Sequence, residues 1–300
     1  MSDASPALDE AFERMARSGF ELPNGFVNHG PMACEALAAL GCDGEIDGWA
    51  RRVARMAGTS VDVTAPVDFE WQEALGDYGR LPEWIGHFER AIADDGWPAV
   101  VEVWVPRLMP ALAVALFHGA IRAAHAVRAV AAVDTPARRA ELARALGYWA
   151  ARYSVGQPVT EAGAPAGPGG RPDDSGALRL AIVGAAADGA RYYLSRPNIF
   201  NLHGVTGAMA VELVADHISP EAGAAGLAQV RAEHAALYRG AEPSERTDPV
   251  NVEDDQLARA AADSRDPHQV KLVEACRRGY AATGDPTFAA AAETVIGIGR

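Results

Sequence analysis

Apolar residues in this chain recur at three- and four-residue intervals through most of its length, the spacing that lines one face of an α-helix. Strict alternation is scarce. Val61-Asp-Val-Thr alternates but is short, and Val100 to Val105 is flanked by helical periodicity on both sides. Four pairs, Thr135-Pro136, Ser219-Pro220, Asp266-Pro267 and Asp285-Pro286, each offer a capping oxygen followed by proline at the first helical position, where its missing N–H costs nothing. The pattern predicts helices near 7–18, 32–40, 45–57, 68–76, 82–94, 97–105, 108–133, 136–153, 175–190, 197–217, 220–239, 253–263, 267–283 and 285–298. A Pro/Gly-rich loop is expected from Thr160 to Ser175. The longest apolar run, Leu108 to Val133, is interrupted by His118, Arg122, His125 and Arg128, so it reads as a buried helix and not a membrane span. The expected fold is all-α: a single globular multi-helix domain over residues 1–300, with any metal site in the bundle core.

The formal net charge of −13 argues against nucleic acid as a main partner, because phosphate binding needs clustered Lys and Arg. The three cysteines, Cys34, Cys42 and Cys276, form no CxxC pair, so neither a disulfide framework nor a thiolate zinc knuckle is expected. The acidic, polar N-terminus is unlike a signal peptide, and together these features point to the cytoplasm. No GxGxxG, Walker, GxSxG or HExxH motif sits in its required setting, which counts against a Rossmann-type cofactor domain.

Candidate chemistry therefore falls to the eight histidines. His87 and His234 lie among charged helix residues and read as solvent-facing, and His217 sits at a helix C-terminus, where a partly cationic ring is favoured. The others occupy apolar or glycine-flanked settings: His29 before a helix, His118 and His125 two turns apart on the apolar run, His203 in Leu202-His-Gly-Val, and His268 in the first turn of a capped helix with Lys271 one turn on. A buried imidazole needs partners for both ring nitrogens or a metal, and imidazoles converging from separate helices suit iron, copper, nickel or zinc.

At these residues the chain resembles the questin oxidase-like proteins, whose fungal members act in anthraquinone and aflatoxin-type polyketide pathways. The matching segments are Asn28-His29-Gly-Pro-Met with Glu35-Ala-Leu-Ala-Ala-Leu-Gly; Trp71-Gln-Glu-Ala-Leu-Gly-Asp with Trp84 and Phe88; Trp104-Val-Pro-Arg-Leu; His118-Gly-Ala-Ile-Arg-Ala-Ala-His-Ala; Leu202-His203-Gly-Val-Thr-Gly; and Asp266-Pro-His268-Gln-Val-Lys271-Leu-Val-Glu-Ala. The resemblance implies an oxygenase. Some members are described as NADPH-dependent Baeyer–Villiger oxidases, and one as a nonheme iron dioxygenase whose metal is held by four histidines and a carboxylated lysine. The positions here that match are His29, His118, His203, His268 and Lys271. The chain is shorter than the fungal proteins, and a second helix histidine common in them is replaced by Arg122, with His125 one turn further along. Arg122 and His125 are therefore assigned to the surroundings of the metal or to the substrate pocket, as candidate catalytic residues.

The expectation is a nonheme iron oxygenase, with Fe(II) or another divalent metal and a carbamate on Lys271, acting with O2 on a small aromatic, quinone-like polyketide. A buried lysine has a lowered pKa, and its neutral amine can take up carbon dioxide to become an oxygen ligand. Phe26, Phe117, Phe200, Tyr148 and Trp149 near the motifs would suit a flat ligand. One alternative is a metal-free, NADPH-dependent Baeyer–Villiger-type monooxygenase. Another is a non-catalytic helical binding protein, which predicts ligand atoms more than roughly 8 Å apart, beyond coordination distances. Oligomeric state is left open, a homodimer being one option.

Overall fold

A computed structural model describes residues 6–23, 25–56, 61–63, 69–154, 175–245 and 253–297. Among the described residues fourteen α-helices run in order: α1 Pro6–Met15, α2 Gly30–Ala39, α3 Asp43–Met56, α4 Trp71–Ala74, α5 Leu81–Asp95, α6 Trp97–Leu108, α7 His118–Ala132, α8 Pro136–Ala151, α9 Ser175–Ser195, α10 Ile199–Val214, α11 Pro220–Leu237, α12 Asp254–Asp263, α13 Pro267–Thr283 and α14 Pro286–Val295. No strand occurs among the described residues, where the only β-type pairing is an isolated bridge between Glu21 and Val27. Residues 160–174 of the expected Pro/Gly-rich loop lie outside the described residues. No described helix is long and apolar enough to cross a membrane.

All four predicted caps are made. The side chains of Thr135, Ser219, Asp266 and Asp285 accept hydrogen bonds from the backbone N–H groups of Arg138, Ala222, His268 and Thr287, and each following proline opens its helix. Asn198 caps α10 in the same way. Within the bundle, α7 packs on α8, α10 and α2, and α13 packs on α2, α10 and α14. Helices α2, α7, α10 and α13 thus enclose one centre.

The predicted helix over 108–133 is corrected. Helix α6 ends at Leu108, a 3-10 turn covers Met109–Ala111, and α7 does not begin until His118. Pro106 and Pro110 withhold backbone donors from the end of α6. The chain then turns through Ala115, Leu116 and Phe117, all left-handed at φ +49°, +56° and +65°. Each such non-glycine residue costs roughly 1–2 kcal/mol. Continuous apolarity gave no warning of this break, because the turn is itself packed against the core. One contact holding it is the ring of Phe117, which lies where a Cβ on Gly207 of α10 would be, 2.5 Å from that position.

Candidate metal centre

The left-handed turn puts His118 at the first residue of α7, not mid-helix as expected. His29 is the residue preceding α2, His203 lies in the second turn of α10, and His268 is the second residue of α13. Four helix N-termini, each a partial positive charge, therefore point toward one place. One ligating nitrogen from each of His29, His118, His203 and His268 lies within 4.8 Å of all the others. The separations expected of a scaffold without a site do not occur.

The tautomers follow from the neighbours. His118 Nδ1 faces the Ala115 carbonyl at 2.5 Å and His203 Nδ1 faces the Ile199 carbonyl at 2.7 Å. A carbonyl only accepts, so both Nδ1 atoms carry the proton and both Nε2 atoms are bare lone pairs. His268 Nδ1 donates to Asp266 Oδ1 at 3.0 Å, leaving its Nε2 bare, buried and without a hydrogen-bond partner. Yet His118 Nε2 lies 3.1 Å from His203 Nε2 and 2.6 Å from His29 Nε2. The facing lone pairs of His118 and His203 repel unless a cation sits between them. Two nitrogens each about 2.1 Å from one ion are roughly 3.0–3.4 Å apart, which matches the 3.1 Å between His118 and His203. The donor set fits a borderline metal, and the outer carbonyls and Asp266 supply the orienting partners that metal-bound imidazoles need.

Electrostatics agree. Burial, and then the Lys271 charge, hold His29 and His203 well below the ordinary histidine range and push His118 down to about 3. Lys271 is 1% exposed, its Nζ has no hydrogen-bond partner, and burial lowers it to about 7. Burial thus brings the neutral amine of Lys271 within reach near pH 7, and its charged form acts on three of the imidazoles.

His29, His118 and His268 line one end of a cleft of about 740 Å³. Phe26 and Phe200, 58% and 56% exposed, line the same cleft. Glu21 forms part of the wall, taking an ion pair from Arg152 and a hydrogen bond from Tyr148 at 3.2 Å. A larger cavity of about 1090 Å³, between α9 and α11, lies apart from the four histidines.

Arg122 and His125 line neither cavity. Arg122 donates to both oxygens of Glu141, at 2.7 and 2.9 Å, and lies over the Phe20 ring. His125 donates from Nδ1 to Glu35 at 2.5 Å, and burial, acting against that carboxylate, lowers its pKa. Two of the solvent-facing assignments are corrected. His234 is buried, bonded from Nε2 to the Gly204 carbonyl at 2.9 Å, and His87 is wedged among Phe69, Trp84, Phe88 and Trp104. Their charged sequence neighbours face outward while these rings take the inner side of the same helices. His217 follows α10 in a 3-10 turn, edge-on to Trp97.

Sequence reasoning missed the buried carboxylates Glu35, Glu212 and Glu274. The signal for Glu35 and Glu274 was Arg128 in the apolar run of α7, used above only to exclude a membrane span. Compared with known proteins, the chain matches no family model, and no curated protein is similar to it.

Proposed function

We propose that this protein is a metal-dependent oxygenase of small aromatic molecules, with ferrous iron held by His29, His118, His203, His268 and a carboxylated Lys271. The observation that carries the reading is the convergence of bare Nε2 lone pairs whose Nδ1 protons are already committed to Ala115, Ile199 and Asp266. The choice of iron and of oxygen chemistry comes from the resemblance to the questin oxidase-like proteins. A ferrous ion with an open position would supply dioxygen binding and activation at the floor of the cleft.

The chain's own residues supply the rest. Lone pairs ask for a cation, while four helix N-termini favour negative charge at the same place. A metal with an anionic oxygen ligand answers both. Lys271 can provide that ligand: its neutral amine adds to CO2, a C–N bond forms, and one proton leaves to solvent, giving a carbamate. The lowered pKa of Lys271 favours this step. Phe26 and Phe200 offer faces for a flat ring.

The test is metal analysis of protein purified without added metal, followed by anaerobic ferrous reconstitution and oxygen uptake with a panel of hydroquinones and hydroxylated naphthalenes. One iron per chain, lost in His203→Ala, and ring-dependent oxygen uptake are expected. Wild-type protein that takes up no metal at stoichiometry sinks the proposal. Incubation with 13C-labelled CO2 reads the carbamate directly, as a carbonyl resonance absent from Lys271→Ala.

A further inference from the structure

Beneath the histidines runs a chain of alternating charges. Glu35 on α2 accepts from Arg128 on α7 at 2.5 Å, and the same guanidinium reaches Glu274 on α13. Glu274 accepts from Arg278, one turn along α13, at 2.7 Å, and Arg278 also pairs with Glu212 on α10. Glu212 ends the buried part by taking Arg179 of α9. The three carboxylates are 3–5% exposed at the side chain, and their charges are balanced by three arginines. The carboxylate of Glu274 is held well below its ordinary range by Arg128 and Arg278 acting against its burial.

The helices joined in this way, α2, α7, α13 and α10, are the four that bring the metal ligands. From His29 to Glu35 is six residues, about 9 Å of rise; from Lys271 to Glu274 is one turn; from His203 to Glu212 and from His118 to Arg128 is roughly 14–15 Å. A hydrogen-bonded ion pair tolerates sliding of a few tenths of an ångström, whereas apolar side chains in contact have no such directional limit. The bidentate guanidinium of Arg128 bridges carboxylates from two different helices, a task lysine cannot copy. Buried pairs like these are poor sources of net stability, because desolvation offsets their attraction. Fixing the register of helices is a different service, and the histidine nitrogens need it, since coordination fails within half an ångström of misplacement.

We propose that the Glu35–Arg128–Glu274–Arg278–Glu212 chain is a positioning device for the centre above it, with Arg128 as the positioning residue that sets the axial register of α2, α7 and α13, and Arg278 tying α10 to them. This rests on the metal reading for its first readout only.

The test compares three variants of the full chain. Arg128→Met breaks the bridge, and Arg128→Met combined with Glu35→Gln and Glu274→Gln removes the carboxylate charges that the first would strand, which guards against loss of folding. Ile85→Ala, in the core of α5, which carries no ligand, is the control for lost stability. Ferrous and zinc affinity is measured by competition with a chromophoric chelator, and imidazole nitrogen resonances are recorded on metal-free protein. Both network variants are expected to lose at least about 10-fold in affinity for both metals, with displaced ring resonances, while Ile85→Ala stays within twofold despite its lower melting temperature. Network variants that keep wild-type affinity and ring resonances overturn the proposal. So does an Ile85→Ala variant that loses affinity equally. Should wild type bind neither metal, the metal reading fails, and the ring resonances alone decide: displaced in the network variants and not in Ile85→Ala supports the positioning role, and unmoved overturns it.

Discussion

Replacing Gly207 by alanine tests how His118 is held in place. The substitution adds one methyl group to α10, one turn beyond His203. That methyl carbon would stand 2.5, 2.6 and 3.0 Å from Cδ1, Cγ and Cε1 of Phe117. Ordinary carbon contacts are about 3.5–4.0 Å, so the ring must retreat by roughly 1 Å. Phe117 is 3% exposed and its backbone sits at φ +65°, so it has little room to move. Overpacking costs roughly 1–3 kcal/mol, and a 2.5 Å approach to a buried ring belongs to the upper part of that range, roughly 2–3 kcal/mol; the helical gain of Ala over Gly, about 1 kcal/mol, offsets part of it. A net loss of roughly 1–2 kcal/mol is expected. Gly184 on α9 is the internal standard: nothing lies within 4 Å of its Cβ position, so Gly184→Ala should gain about 0.5–1 kcal/mol. The same chemical change then has opposite signs on two neighbouring helices. Urea unfolding of both metal-free variants measures the difference, roughly 1.5–3 kcal/mol. A Gly207→Ala protein as stable as Gly184→Ala would falsify the claim that the Phe117 wedge fixes the start of α7.

Three further outcomes follow. Asp266→Asn keeps an oxygen to cap α13 but removes the carboxylate that orients His268, and should weaken metal binding by about 10–100-fold with a small change in unfolding free energy, read by chelator competition. Lys271→Met should stabilise the metal-free protein, on the order of a few kcal/mol at pH 6. Below about 7 the ammonium is charged in both states and its burial penalty is complete; the penalty fades as pH rises toward the ordinary lysine value of 10.5, so denaturant midpoints of wild type and variant should converge by that pH. In the acid range the sign comes from His118: its unfolded imidazole takes up a proton near 6.5 and the folded one not until about 3, so the unfolded state binds more protons and the metal-free protein should lose stability as pH falls through that interval. Acid midpoints that do not move when His118 is replaced by Gln would count against this.

Most of the fold was legible because its signals are local. The Thr135, Ser219, Asp266 and Asp285 caps each need only a side-chain oxygen and the following proline. The four converging histidines were also legible, since small or apolar neighbours left each ring with nothing else to serve. What lay hidden depends on partners distant in sequence. Arg128 finds its carboxylates on α2 and α13, and its meaning cannot be read within α7. The turn at Ala115–Phe117 consists of residues that favour helix, and only Gly207, ninety residues later in the chain, makes room for the ring that helps to hold it. His234 went the same way, because the carbonyl it meets belongs to Gly204.

That left-handed turn also bears on the order of folding. Three consecutive residues in a disfavoured conformation are not populated by the isolated segment, so α7 acquires its proper first residue only when α10 is already beside it. Contacts of Phe117 should therefore be absent from the transition state. Substitutions at Phe117 or Gly207 should accelerate unfolding while leaving the folding rate nearly unchanged. His118 would then be the last of the four histidines to arrive, and metal would enter a chain that has already folded rather than guide its collapse.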